Sequence, residues 1–295
     1  MNLSFSDTAV LATARALRIG SLRYPGGSPS NNWNLSAGRW IDEQGDPNTR
    51  CNSQPLGTFT PAKYMAGLGA ELRAPPIWNI NPTESMPPAE RVQQIDALHA
   101  MGVPVTHLEL GNEKANPCGA TASSSYLANV APVVERTRKL FPTAKIGIIG
   151  SWANPAYVSP LVNWTGCAKM LAEHRALFDA VTVHQYMPGN NTLMSYPAEQ
   201  RRSVTLATAE PLLKYHVATV AHNIGADVPI WLDEYNWGGS WEGATTWSDH
   251  SETGLRGALM SSYILSAIGT RGSIAALNWC VDCCASTAQR TPIAA

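Results

Sequence analysis

Charge is scarce in this chain, and so is phenylalanine. Only 15% of its 295 residues are Asp, Glu, Lys or Arg, with 21 basic against 22 acidic side chains and a formal charge of −1. There is no basic run or patch, which argues against nucleic acid or an anionic lipid surface as a partner. No apolar stretch approaches the roughly 20 residues of a membrane-spanning helix, so no membrane association is expected. Met1–Asp7 has neither a basic start nor an apolar core and does not read as a secretory signal. What the chain does have is apolar bulk. Its hydrophobic share is 44%, the composition of a well-buried globular protein rather than a disordered or fibrous one.

Four Phe stand against ten Trp. Flat indole faces stack on sugar rings, but Trp also fills cores. Six cysteines (Cys51, Cys118, Cys167, Cys280, Cys283 and Cys284) leave the redox compartment open. Cys280-Val-Asp-Cys283-Cys284 resembles half of a metal site, yet no second ligand pair of matching spacing accompanies it. Neither a metal nor another cofactor is therefore expected. Cys51 and Cys118 both fall in loops after strands and could pair with each other. Sequons at Asn2, Asn34, Asn163 and Asn190 permit a secreted history.

Helix-like and strand-like segments alternate almost to the end of the chain. Asp7 can cap a helix running to about Leu17, and Arg18–Tyr24 follows as a strand. A Gly/Pro/Asn-rich loop extends to about Phe59, and Thr60-Pro61 then opens a helix with Pro at a tolerated first position. Strands are expected at Pro76–Ile80, Val105–Leu110, Lys145–Ile149, Ala180–His184, Ile230–Asp233 and Ser273–Trp279. Helices are expected at Ser85–Ala100, Ser124–Leu140, near Cys167–Leu177, at Thr208–Ile224 and at Glu252–Ile268. No shift in composition marks a linker, so a single domain over residues 1–295 is expected. Repeated βα units with right-handed crossovers favour a parallel sheet closed as a (β/α)8 TIM-type barrel. The pattern supplies one strand fewer than a closed barrel needs. Either Asn2–Phe5 serves as a stub of the first strand, or that strand is missing from this chain.

Two of the strand-like runs end in glutamate, Val105–Glu113 and Val228–Glu234. In a parallel β/α barrel the C-terminal strand ends surround the active site, so carboxylates there read as catalytic. Two carboxylates facing across one pocket is the arrangement that glycoside hydrolysis needs, one protonating the leaving oxygen and the other attacking or activating water. A phosphate-binding barrel fits less well, since no Gly-rich phosphate loop precedes the last helix.

Four motifs carry a family likeness in order: Leu22-Arg-Tyr-Pro-Gly-Gly-Ser28, Leu108-Glu-Leu-Gly-Asn-Glu113, Val181-Thr-Val-His-Gln-Tyr186 and Trp231-Leu-Asp-Glu-Tyr-Asn-Trp237. With them the chain resembles the retaining glycosidases of glycoside hydrolase clan A, above all the α-L-arabinofuranosidases and the heparanase-like β-glucuronidases. The resemblance implies a glycosidase with Glu113 as acid/base and Glu234 as nucleophile. It also implies a carbohydrate substrate and a secreted or extracellular setting, and leaves the oligomeric state open. Asn112 would hold a sugar hydroxyl, and Tyr186 would orient the nucleophile. His184 either joins that network or is an ordinary strand-end histidine. Arg23 either supports the nucleophile as a cation or makes a loop salt bridge. Trp279 forms the floor of the sugar subsite or fills the core, and Trp247 and His250 rim the pocket. Strand alternation puts Glu109 on the same side as Glu113, as its rival, and turns Asp233 away from Glu234. The chain departs from the family at Ser28, where the arabinofuranosidases usually carry Asn, with Asn31, Asn32 and Asn34 close behind. The added β-sandwich that the resemblance implies is not expected within residues 1–295. The alternative reading is a non-catalytic carbohydrate-binding barrel or an inactive fragment of a longer glycosidase.

Overall fold

A computed structural model of the chain describes residues 8–18, 20–41, 59–83, 85–113, 123–151, 164–187, 200, 216–237 and 274–275. It is a parallel β/α fold of the (β/α)8-barrel kind, with its strands in chain order. Two compact units are distinguished. One takes in Met1–Lys114 and Pro132–Ala144, the other Ala115–Ala131 and Lys145–Asn278.

In the first unit α1 (Thr8–Leu17) leads to β1 (Arg23–Tyr24). The expected strand from Arg18 onward is cut short because Arg18 takes φ 50 and bonds back to the Arg15 carbonyl, which closes the helix. The Gly/Pro/Asn loop beyond is not featureless. It holds an antiparallel pair, β2 (Trp33–Asn34) and β3 (Arg39–Trp40), which no alternation pattern announced. Helix α2 (Pro61–Ala66) starts as expected: the Thr60 side chain accepts from the Lys63 amide, and Pro61 fills a position whose N–H needs no partner. Strand β4 (Ile77–Asn79) lies between β1 and β5 (His107–Glu109), parallel to both. Helix α3 (Pro88–Ala100) buries Arg91, Gln94, Ile95 and Leu98, a three-and-four spacing that lays one face inward.

The core of this unit is aromatic. Tyr24 stacks on Tyr64 at 4.6 Å between ring centroids, and Trp78 meets both rings edge-on at 5.9 and 5.8 Å. Trp78 is fully buried and its indole N–H donates to the Pro104 carbonyl at 2.9 Å, so this Trp is core. Gln94, also fully buried, accepts from the Leu35 amide at 3.1 Å and so ties the β2–β3 segment to α3.

The second unit carries β6 (Lys145–Ser151), α5 (Trp164–Glu173), β7 (Ala180–Met187), β8 (Ile230–Trp237) and β9 (Ile274–Ala275). These four strands pair in parallel, in chain order. Ile146, Ile148, Ile149, Val181, Val183, Ile230 and Leu232 are all buried, including consecutive residues whose side chains alternate faces. A strand buried on both faces is what a parallel sheet covered by helices requires. Helix α4 (Ser123–Leu140) and helical residues 216–223 match expected helices, the latter over its last part. Cys167, on α5, is disulfide-bonded, and its partner lies outside the described residues. Cys51, Cys118 and the Cys280–Cys284 cluster fall outside them too, as do the Asn2–Phe5 stub and the Glu252–Ile268 helix. Among the described residues no helix is long and apolar enough to cross a membrane.

Candidate active site

In the first unit the polar residues at the C-terminal ends of β1, β4 and β5 form one network. Arg23, the first residue of β1, forks onto Glu109, the last residue of β5, with Nε to Oε2 at 2.5 Å and Nη2 to Oε1 at 2.7 Å. Their side chains are 7% and 0% exposed, so both charges are out of water and need each other. Nη2 also donates to Asn112 Oδ1 at 2.9 Å. Asn79, at the end of β4, donates through Nδ2 to Glu109 Oε2 at 2.8 Å and to the Gly111 carbonyl at 2.9 Å. Asn112 is buried, and its Nδ2 has no hydrogen-bond partner.

This geometry changes two expectations. Strand β5 ends at Glu109, not at Glu113, and the chain leaves it through Gly111 at φ 100. A positive φ breaks the pleat, so alternation no longer relates the side chains of Glu109 and Glu113. The two glutamates also differ in kind. Glu109 is fully buried under a guanidinium and an amide, whereas Glu113 is half-buried in the loop beyond. Arg23 accordingly stands on Glu109 and Asn112. Its strand runs straight into Pro25-Gly26-Gly27, where both glycines adopt left-handed backbone, φ 61 and 64. The backbone of Ser28 opens a short 3₁₀ turn that carries Asn31, which is buried.

In the second unit His184 on β7 and Asp233 on β8 meet, Nε2 to Oδ1 at 3.3 Å, with side chains 5% and 0% exposed. Their meeting depends on an irregularity. Val183 pairs with Leu232 but His184 pairs with Glu234, so Asp233 is an extra residue on β8, a β-bulge. A bulge breaks strict alternation and re-aims side chains, and such bulges gather next to active sites. The expectation that Asp233 simply faces away from Glu234 assumed an unbroken pleat, and the pleat is broken at that residue. Glu234 and Tyr186 lie on the described backbone of β8 and β7, while their side chains are outside the description. Trp279, Trp247 and His250 lie outside the described residues.

The first unit thus brings together Arg23, Asn79, Glu109 and Asn112, and Glu113 follows Asn112 in the chain beyond β5. Asn79 was missed by sequence reasoning. Its signal was present, a lone amide inside the apolar run Pro76-Ile-Trp-Asn-Ile80; Glu109, between two leucines, gives the same signal and is the residue already read as the rival of Glu113. A polar residue in a buried strand must find hydrogen-bond partners, which is itself a pointer to a site.

No protein-family model and no curated protein matches this chain. Solved structures do. A family 51 α-L-arabinofuranosidase from Bifidobacterium longum superposes with a TM-score of 0.62 at 14% identity, over 92% of this chain and 60% of that one. A glucosidase from Croceicoccus marinus gives 0.54 at 14% identity, over 90% of this chain and 55% of that one. The AHE enzyme from Alicyclobacillus herbarius gives 0.51 at 11% identity, over 91% and 74%. The chain therefore spans a little over half the length of the first two. At these identities the likeness shows a shared fold.

Proposed function

We propose that this chain is a retaining glycoside hydrolase acting on a polysaccharide or oligosaccharide, with Glu113 as acid/base and Glu234 as nucleophile. The observation that carries the reading is a buried polar cluster that includes the chain neighbour of each glutamate, Asn112 before Glu113 and Asp233 before Glu234. Arg23–Glu109–Asn112 precedes Glu113, and His184–Asp233 accompanies Glu234. The fold shared with a solved arabinofuranosidase and a solved glucosidase supports it. Burying charged and amide groups at strand ends is costly and is characteristic of sites where reacting groups must be held still.

The steps follow from the roles. The Glu234 carboxylate attacks the anomeric carbon as Glu113 gives its proton to the departing oxygen, leaving a glycosyl ester on Glu234. Glu113, now a carboxylate, takes a proton from water, whose oxygen attacks the same carbon and releases Glu234. The free Nδ2 of Asn112 donates to a sugar hydroxyl oxygen and so holds the ring in place beside Glu113. Tyr186 donates to the nucleophile, His184 and Trp279 complete the substrate-binding set, and Arg23 supports Asn112 by donating to its Oδ1. Arabinofuranosides and glucuronides are the first substrates to try. The Ser28 departure from the arabinofuranosidase pattern weighs against the arabinofuranosides.

The two glutamates should fail differently. Glu234→Gln abolishes turnover of every substrate, whatever its leaving group. Glu113→Gln slows natural glycosides by roughly 100- to 10,000-fold. It still forms the intermediate from dinitrophenyl glycosides, and azide, which needs no deprotonation, restores its turnover. Equal losses with no rescue in either variant would overturn the roles. Sugar binding without turnover by the unaltered chain would favour the carbohydrate-binding alternative.

A further inference from the structure

We infer that Glu109 and Arg23 are positioning residues that set which end of the Asn112 amide faces the substrate, an inference that rests on the glycosidase reading of this site. An asparagine side chain offers a carbonyl oxygen on one side and an amino group on the other, and a half-turn exchanges them. Here one orientation is enforced. Arg23 has only donors, and its Nη2 lies 2.9 Å from Asn112 Oδ1, so the oxygen must point at the guanidinium. The amino group is then left buried with no protein partner. A buried donor in that state is a free-energy cost until an acceptor arrives.

Arg23 can play this part only while its own plane is fixed. Glu109 fixes it, taking Nε and Nη2 in one bidentate fork that sets both the distance and the tilt of the guanidinium. Glu109 is in turn held by Asn79 Nδ2, whose other contact is the Gly111 carbonyl, the peptide just before Asn112. Side chain and backbone of Asn112 are thus registered by the same assembly. The consequence is specificity: the site presents a donor beside Glu113, so it discriminates for a ligand oxygen that can accept at that point. Glu109, the carboxylate nearest to Glu113 in sequence, acts through Arg23 and does not touch the sugar.

The test compares the unaltered protein with Glu109→Gln, Arg23→Lys, Asn112→Ala and the Glu109→Gln/Asn112→Ala double variant. Substrates are an aryl glycoside and its monodeoxy counterparts, each lacking one ring hydroxyl. Asn112→Ala should erase the preference for one particular hydroxyl, a loss of roughly tenfold in relative kcat/KM. Glu109→Gln and Arg23→Lys should lower the preference for that same hydroxyl, and the double variant should fall no further than Asn112→Ala. Uniform losses on all substrates, or additive losses in the double variant, would overturn the inference. A second readout does not depend on activity. The side-chain amide NMR resonances of Asn112, assigned by their absence in Asn112→Ala, should move in Glu109→Gln and in Arg23→Lys. Unmoved resonances in folded variants would sink the positioning role even if the enzyme is active. A protein that turns over no glycoside while those resonances shift would instead remove the glycosidase reading. Arg23→Lys keeps a cation beside Glu109, and it serves where Glu109→Gln fails to fold.

Discussion

His216 is fully buried at the start of helical residues 216–223, and burial pushes its pKa down from 6.5 to about 4. The imidazole is therefore neutral in the folded protein at a pH where the unfolded chain would already hold a proton. Above about pH 6.5 neither state is protonated and the residue has no pH-dependent effect. As pH falls from there toward 4, the unfolded state gains a proton that the folded state refuses, and stability drains away. The full loss is on the order of 3 kcal/mol, at about 1.4 kcal/mol for each pH step between 6.5 and about 4. Denaturant melts at pH 7, 6, 5 and 4 should show that decline, and His216→Leu should flatten it between pH 6.5 and 4. An acid slope identical in the variant would mean that carboxylates alone set the acid limit. The same physics governs Arg23 and Glu109, with the opposite resolution. A histidine can shed its charge to stay buried, whereas a guanidinium cannot, so Arg23 must keep a buried carboxylate. Removing one member of such a pair costs about 3–5 kcal/mol.

At the scale of elements, a tight packing constraint between strands sits on β6. A Cβ added to Gly147 would lie 2.5 Å from the Trp231 ring on β8 and 3.0 Å from the Thr182 methyl on β7. Trp231 and Thr182 are themselves buried, so neither ring nor methyl has open space to retreat into. Gly147→Ala should cost about 1–3 kcal/mol by overpacking, read as a lower midpoint in denaturant with the m-value unchanged. An unaffected midpoint would mean that these strands slide easily. Gly147 also shows why some of the fold was legible in the sequence. Lys145-Ile-Gly-Ile-Ile149 reads as a buried strand from apolar content, and Thr60-Pro61 reads as a helix start from capping chemistry, because both signals are local. The β2–β3 pair was not legible, since Trp33–Asn34 and Arg39–Trp40 are too short for alternation to register. The bulge at Asp233 was hidden for a different reason. It arises from pairing between β7 and β8, and register is a property of two strands. In the candidate site, Arg23, Asn112 and Glu113 were readable as motif residues at strand ends. That Arg23 turns to Glu109 was not, because the partner lies 86 residues further on, with β2, β3 and β4 in between.

For the molecule as a whole, the proposed chemistry makes a demand that no single element meets. Parallel strands linked by right-handed crossovers present all their C-terminal ends on one side, which is how residues far apart in sequence come to serve one substrate. Glu113 follows such a strand, β5, and Glu234 lies within another, β8, three residues before its end. Retention requires their carboxyl groups to stand roughly 5–5.5 Å apart, close enough for Glu234 to reach the anomeric carbon while Glu113 reaches the leaving oxygen. A crystal structure with a sugar-derived inhibitor should show that spacing. Proton NMR of the first-formed product should show the anomeric configuration of the substrate, before the free sugar equilibrates. Both follow from one mechanism, because a second inversion at the same carbon restores the first. A spacing of roughly 6.5–9.5 Å together with the opposite anomer would mean that water attacks directly, with Glu234 as base. Retention with a wide spacing would require a different nucleophile, and Glu234→Gln would then leave the intermediate intact. The pair of measurements therefore separates the roles of the two glutamates from the fold that carries them.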